Sequence, residues 1–331
     1  MKPIACAIML MGAFLLYGIK LRAQHPPGKI PLIIFDTDMG PDYDDVGAIT
    51  VLHALAARGE CKILATVASD GHSSIAPTIE AFNQYFKQPG IPVGAAVAGA
   101  PDFTSDNHWN DSLVTRFLKK PRSNPYPPAL DVYREVLSRQ ADNSVTIITV
   151  GFTSNIRALL QSKPDRFSVL SGMELVKRKV KNWVAMAGGF PQGREFNVEK
   201  DAAASFEVFS KWPKPILFSG FEIGQSIATG SRVAKGDAVK NPVAWAYRYN
   251  LGSYDKNPQA NRPSWDQTAV LCAVRQPEKY FYVNGPGKFK VDETGYNTWS
   301  PQPGGLHYFL SHKYPYETIA AVIEDLMLHI P

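Results

Sequence analysis

Short apolar runs that alternate with segments of helical periodicity constrain this chain more than any other feature. Leu32–Phe35, Cys61–Ala68, the run from Ile91, Val145–Gly151, Trp183–Gly189 and Pro215–Gly220 read as strands. Between them, Asp45–Arg58, Ile75–Phe86, Leu130–Arg139 and Asn155–Gln161 carry apolar residues three and four apart, the spacing of helices with one buried face. Parallel strands need crossover connections, and helices in that role cover both sides of a sheet. The fold class is therefore α/β, an open, mostly parallel sheet with helices on both faces. No internal repeat or long linker interrupts the rhythm, so residues 24–331 read as one domain. Its Pro/Gly-rich section, Pro277–Gly305, reads as loop and short strands before a final helix at Tyr316–Met327.

The first 23 residues stand apart. Ile4–Ile19 is apolar, follows Met1-Lys2 and precedes the small residue Ala23, the pattern of a secretory signal peptide over residues 1–23. The run is short for a membrane span, while Lys20 and Arg22 just after it keep an uncleaved anchor as the alternative. The expectation is a secreted, periplasmic protein with no stable membrane association after cleavage. Cleavage would leave Cys61 and Cys272, in separate apolar segments, which reads as two buried thiols and is too few for a Cys-ligated zinc site. The formal charge of +5 falls to +2 without Lys2, Lys20 and Arg22. No dense basic block remains, Lys177–Lys179 reading as a solvated turn, so a nucleic-acid partner has no support.

Chemistry concentrates where the first strand meets the first helix. Asp36, Asp38, Asp42, Asp44 and Asp45 fall within ten residues there. In open α/β sheets the carboxyl ends of the strands border the ligand crevice, and crowded carboxylates call for a bound hard cation. A calcium loop of the EF-hand type fails on its own pattern, because Pro41 occupies the sixth position where Gly is needed and Gly47 the twelfth where Glu is needed. An Asp-x-Asp phosphatase nucleophile would leave Asp44-Asp45 without a role, and helix N-capping by Asp44 accounts for one aspartate of the five.

The stretch "DTDMG" followed by "DDVGAI" resembles the aspartate motif that opens the nucleoside hydrolases, calcium-dependent enzymes that cleave the bond between a nucleobase and its ribose. "TVGFTSNIRALL" is similar to that family's central strand-turn-helix, "EFNVEKDAAA" to its ribose-contacting segment and "SWDQTAV" to the segment with its last metal-binding aspartate, in that order, over Ile33–Val270. The resemblance implies Ca²⁺ held by Asp38, Asp45, the carbonyl of Val150 and Asp266, an all-oxygen shell suited to that ion. It implies Asp38 as the base that takes a proton from the attacking water, Asp44 on a ribose hydroxyl, and Glu195 and Asn197 on the opposite side of the sugar. Cleavage builds positive charge on the sugar ring, and a carboxylate-rich pocket stabilises it. Attack from the metal side implies inversion at the anomeric carbon.

Three departures from the family pattern bear on specificity. Three residues, Pro41-Asp42-Tyr43, stand where the family has one, so the first turn is longer and Asp42 is a candidate to share a role. "FPQGR" after Gly189 is short, leaving Gln192 as the stand-in for the usual ligand of the sugar's 5′-hydroxyl. Trp265 occupies the position of a base-protonating His in many members. It resembles the purine-preferring branch, which stacks the base between aromatic rings, and Trp109 is the candidate second ring. Tyr247, Tyr249 and Arg262 are read around the approach to Trp265, as pocket neighbours or as an ordinary amphipathic helix. His72 and His108 are placed in loops at the pocket border, and His53 inside the first helix as a packing residue. The expected partner is a small-molecule nucleoside, purine-bearing for preference, and a homo-oligomer stays open. Two alternatives remain beside it: hydrolysis of another glycosidic substrate, and an exported sugar- or nucleoside-binding protein without turnover.

Overall fold

A computed structural model describes residues 30–331; the signal-peptide reading lies outside the described residues. Ten strands form one sheet: β1 (Leu32–Thr37), β2 (Lys62–Ala68), β3 (Val93–Gly94), β4 (Val145–Thr149), β5 (Val180–Met186), β6 (Gln192–Arg194), β7 (Ile216–Ser219), and, beyond the separate pair β8 (Ala228–Thr229) and β9 (Arg262–Pro263), β10 (Phe281–Val291), β11 (Tyr296–Pro301) and β12 (His307–His312). Their order is β3-β2-β1-β4-β5-β7-β12-β10-β11-β6. From β3 to β12 every pairing is parallel; β12-β10, β10-β11 and β11-β6 are antiparallel.

Side-chain alternation along the central strands builds two cores. Ile33 and Phe35 of β1 face one layer with Ile148 of β4 and Val184 of β5, packed under helices Asp44–Ala57, Ile75–Tyr85, Trp265–Val274 and Tyr316–Met327. Ile34, Ile147 and Trp183 face the other, under helices Ala129–Ser138, Ser154–Gln161, Gly172–Lys179 and Ala202–Lys211. This period of two on strands buried from both sides is why β1 and β4 read as unbroken apolar runs.

Two readings need correction. Pro277–Gly305 is not mainly loop: β10 alone runs 11 residues and is the middle strand of an antiparallel extension. Its Gly and Pro residues sit at a register shift between Asn284 and Gly287, where the strand stays in the sheet through an irregularity. The run from Ile91 yields only the two-residue β3. A Cβ at its Gly94 would stand 2.9 Å from Cα of Ala129, so the crossing helix lies directly on the backbone there.

Candidate active site

The parallel register leaves β1, β4 and β5 ending together, Asp36 opposite Thr149 and Thr149 opposite Ala185. A pocket of about 180 Å³ opens at these ends. Five carboxylates line it, Asp38, Asp42, Asp44, Glu195 and Asp266, with Asn197, Val150 and Met186 on its floor and walls. Four aromatic rings, Phe196, Phe221, Tyr254 and Trp265, and Pro41 complete the lining.

Local backbone chemistry aims the aspartates. Past β1, Met39 takes a left-handed φ of 50° and Gly40 a φ of 151°, conformations that fold the chain back over the strand end. The Met39 N–H donates to Thr37 Oγ1 at 3.1 Å and Asp45 Oδ1 at 3.0 Å, and Asn110 Nδ2 donates to the Met39 carbonyl at 2.8 Å. Tyr43, not Asp44, occupies the cap position of the first helix, and its side chain makes no cap bond. Asp44 is instead the first helical residue, and its Oδ2 accepts the backbone N–H of Asp266 at 3.1 Å. That bond ties the first helix to Trp265–Val274. The two helices approach so closely that a Cβ at Gly47 would lie 2.3 Å from Gln267 Nε2 and 2.5 Å from the Tyr247 hydroxyl.

Burial sets the electrostatics. Asp38, Asp44 and Asp266 are pushed well above the ordinary carboxylate range, first by burial and then by repulsion from neighbouring carboxylates, Asp42 and Asp45 among them in each case. Asp45 is raised by the same causes, although the Thr37 hydroxyl and the Met39 N–H both donate to its Oδ1. Asp45 Oδ2 is buried with no hydrogen-bond donor among the described residues. An acceptor in that state is costly unless a cation or proton meets it. Asp42, Asp44 and Asp45 each offer an oxygen within 4.8 Å of the others, close enough to meet one metal ion. Asp45 stands close enough to Asp38 for its charge to raise that carboxyl further. The Val150 carbonyl accepts a long hydrogen bond from Asn197 Nδ2, at 3.4 Å. These oxygen donors fit a hard divalent cation, and among the described residues no thiolate or imidazole lines the pocket to favour a softer one.

Glu195 caps the short helix Phe196–Lys200: its Oε1 accepts the N–H of Asn197 at 2.8 Å, and its Oε2 accepts those of Val198 at 3.2 Å and Gly188 at 3.1 Å. Burial nevertheless raises its pKa to about 7. Asn197 is held by weak contacts from Nδ2 to the carbonyls of Val150 and Met186, both at 3.4 Å, which leaves its amide oxygen for a ligand.

Trp265 lines the pocket, its indole N–H fixed on the Phe221 carbonyl at 2.9 Å and its ring stacked on Phe221 at 5.5 Å. The expected second ring is not Trp109. That residue is fully buried in the core around the first helix, because the helix Trp109–Phe117 turns it inward. Phe196, Phe221 and Tyr254 supply the aromatic wall instead. Gln192 pairs in β6 with Thr298 and lies exposed, away from the pocket lining. Tyr247 is buried behind the helices and accepts from Gln267 Nε2 at 3.0 Å, and Tyr249 donates to the Asn107 carbonyl at 3.0 Å. His72 and His108 face Asp102 and Asp111 and do not line the pocket, while His53 packs in the core on Asn83 and Phe86. Phe196 is not among the residues that the sequence singles out, although it lies between Glu195 and Asn197. Phe221 and Tyr254 lie in no motif.

The family model for inosine-uridine preferring nucleoside hydrolase matches residues 33–303. An uncharacterized protein of Schizosaccharomyces pombe is 28% identical over 268 residues, 75% of this chain and 81% of its own. The pyrimidine-specific ribonucleoside hydrolase RihA of Salmonella agona is 26% identical over 226 residues, 65% of this chain and 68% of its own. A plant nucleoside hydrolase superposes with a TM-score of 0.65 at 16% identity, over 90% of this chain and 98% of that one, a likeness of fold. With the aspartate-lined pocket at the strand ends and a family match over most of its length, the chain belongs to the inosine-uridine preferring nucleoside hydrolases, enzymes of the glycosidase class that act on the N-ribosyl bond.

Proposed function

We propose that this enzyme is calcium-dependent and favours purine nucleosides, releasing free base and ribose. The orphaned, buried Oδ2 of Asp45 carries the metal part of this reading. Asp38, Asp45, the Val150 carbonyl and Asp266 would hold the ion, which when bound supplies charge to offset the carboxylates and sites to orient water and sugar hydroxyls. Asp38 accepts the proton of the attacking water. Its burial among like charges raises its basicity, which suits proton abstraction near neutral pH. Asp44, through the oxygen not engaged by Asp266, and Asn197, through its amide oxygen, receive ribose hydroxyls, with Glu195 fixed beside them. The surrounding carboxylates stabilise the positive charge that grows on the sugar ring as the base departs.

Purine preference rests on Trp265, held flat on Phe221 and unable to donate a catalytic proton in the ordinary pH range. Stacking positions the base, at roughly 1–3 kcal/mol per base on an aromatic ring. A calcium-supplemented panel of purine and pyrimidine nucleosides, read by free-base release, tests this. Inosine and guanosine should turn over faster than uridine and cytidine, and Trp265→Ala should cost the purine substrates far more than a nitrophenyl riboside, whose leaving group needs no protonation. Faster pyrimidine turnover, or equal losses on both substrates, would overturn the preference. We also propose export to the periplasm, from the apolar leader of residues 1–23. Among the described residues no helix is long and apolar enough to cross a membrane.

A further inference from the structure

The longer first turn brings a fifth aspartate to the ion site, and a cation already holds it. Asp42 lines the pocket and offers an oxygen within 4.8 Å of oxygens of Asp44 and Asp45, near enough to join the same ion. Its Oδ2 instead accepts Arg262 Nη2 at 2.6 Å. Arg262 is largely buried and its guanidinium is anchored from several sides. Nη1 donates to Asp255 at 3.0 Å, and Asp255 in turn accepts the Tyr43 hydroxyl. The rings of Tyr43, Tyr254 and Trp265 stand 5.4, 5.1 and 5.1 Å from the guanidinium carbon. A planar guanidinium gripped by two carboxylates and three rings is a fixed charge with one orientation. It engages Oδ2 of Asp42 from outside the pocket lining.

We propose that Arg262 acts as a positioning residue that holds Asp42 out of the ion's ligand shell, keeping open the coordination places that the water and the sugar hydroxyls must occupy. The inference rests on the metal reading given above. A hard cation with room for six to eight oxygens takes up any carboxylate within reach, and one more carboxylate would tighten binding while filling a place the substrate needs. Asp42 is thus a latent ligand, restrained by an internal competitor for the same negative charge.

The test replaces calcium with Eu³⁺ and counts water molecules on the ion from luminescence lifetimes in H₂O and D₂O, with calcium affinity measured by calorimetry. The wild type and Asp42→Asn should carry the same number of waters, because Asp42 is not a ligand while Arg262 holds it. Arg262→Gln should carry at least one fewer and bind calcium about tenfold more tightly, as expected from loss of a nearby positive charge and gain of an anionic ligand. The double variant Arg262→Gln with Asp42→Asn should return to the wild-type count. Extra water in Asp42→Asn would show Asp42 to be a ligand already and would overturn the proposal, and that variant answers even if Arg262→Gln fails to fold. An unchanged count in a folded Arg262→Gln would overturn it as well, while leaving the metal site intact. A wild type that binds neither ion would defeat the metal reading and this inference together.

Discussion

Stability should depend on pH with opposite consequences for the ion-free and the calcium-loaded enzyme. Burial raises Asp36 from 3.8 to about 7, against the pull of the Tyr133 hydroxyl, and raises Glu195 from 4.5 to about 7. A carboxyl whose folded pKa is raised stabilises the fold below its unfolded value and loses that contribution as pH rises through the folded one. Going from pH 8 down to pH 5, each of these two groups gains about two pH units of differential proton binding, on the order of 3 kcal/mol, or about 5 kcal/mol together. Asp38, Asp44, Asp45 and Asp266 shift in the same direction and add to the gain. His53 and His307 oppose it: burial lowers both from 6.5 to about 4, so between pH 6.5 and 5 the unfolded chain takes up protons that the folded one refuses. That costs roughly 2 kcal/mol for each histidine. The carboxyls win, and the chelated protein should melt several degrees higher at pH 5 than at pH 8. Calcium reverses the balance at the ligands, because protons compete with it for Asp38, Asp45 and Asp266. The stabilisation it confers, about 2.7 kcal/mol at a hundredfold excess over Kd, should be largest at pH 8 and fade toward pH 5. Scanning calorimetry of metal-stripped and calcium-loaded protein at pH 5, 6, 7 and 8 measures both quantities. A chelated protein less stable at pH 5 than at pH 8, or a calcium increment that does not vary with pH, would refute the reasoning.

Asp45→Ala should abolish calcium binding, since it removes a buried carboxylate oxygen left without a donor; calorimetry with wild-type affinity would exclude Asp45 from the site. Asp38→Asn keeps an oxygen for the ion but cannot take up a proton at neutral pH, so turnover should fall by roughly a hundredfold or more while substrate and calcium still bind. Near-normal turnover would move the base elsewhere, with Asp42 next in line. Gly47→Ala should destabilise the protein by about 1–3 kcal/mol in urea and weaken calcium binding, because its methyl group meets Gln267 and Tyr247 at the contact between the helices that bear Asp45 and Asp266. A stable Gly47→Ala variant with weakened calcium binding would place the effect in the site alone and contradict the coupling.

What could be read from the chain and what could not divide along a physical line. β1, β4 and the helices beside them carry their own signatures, because a strand buried on both faces must be apolar throughout and a covering helix must be apolar on one side. The same holds for the aspartates: five carboxylates at one strand end announce a cation site whatever the rest of the chain does. Trp109 shows the limit. An indole in a polar stretch looks the same whether it faces a ligand or the core, and only the packing of its helix decides, here inward. Phe221 and Tyr254 reach the pocket from segments with no motif, brought there by the turn after β7 and by the end of the helix Pro242–Ser253. Arg262 is the strongest case. Its neighbours in the chain, Asn261 and Pro263, say nothing of Asp42, which lies 220 residues away and becomes a partner where the first turn meets the β8–β9 pair that carries Arg262. Local composition therefore discloses the charges that the site needs, whereas the residues that hold those charges apart are set by the approach of distant segments. It is these positioning residues that decide how many places on the ion remain for substrate.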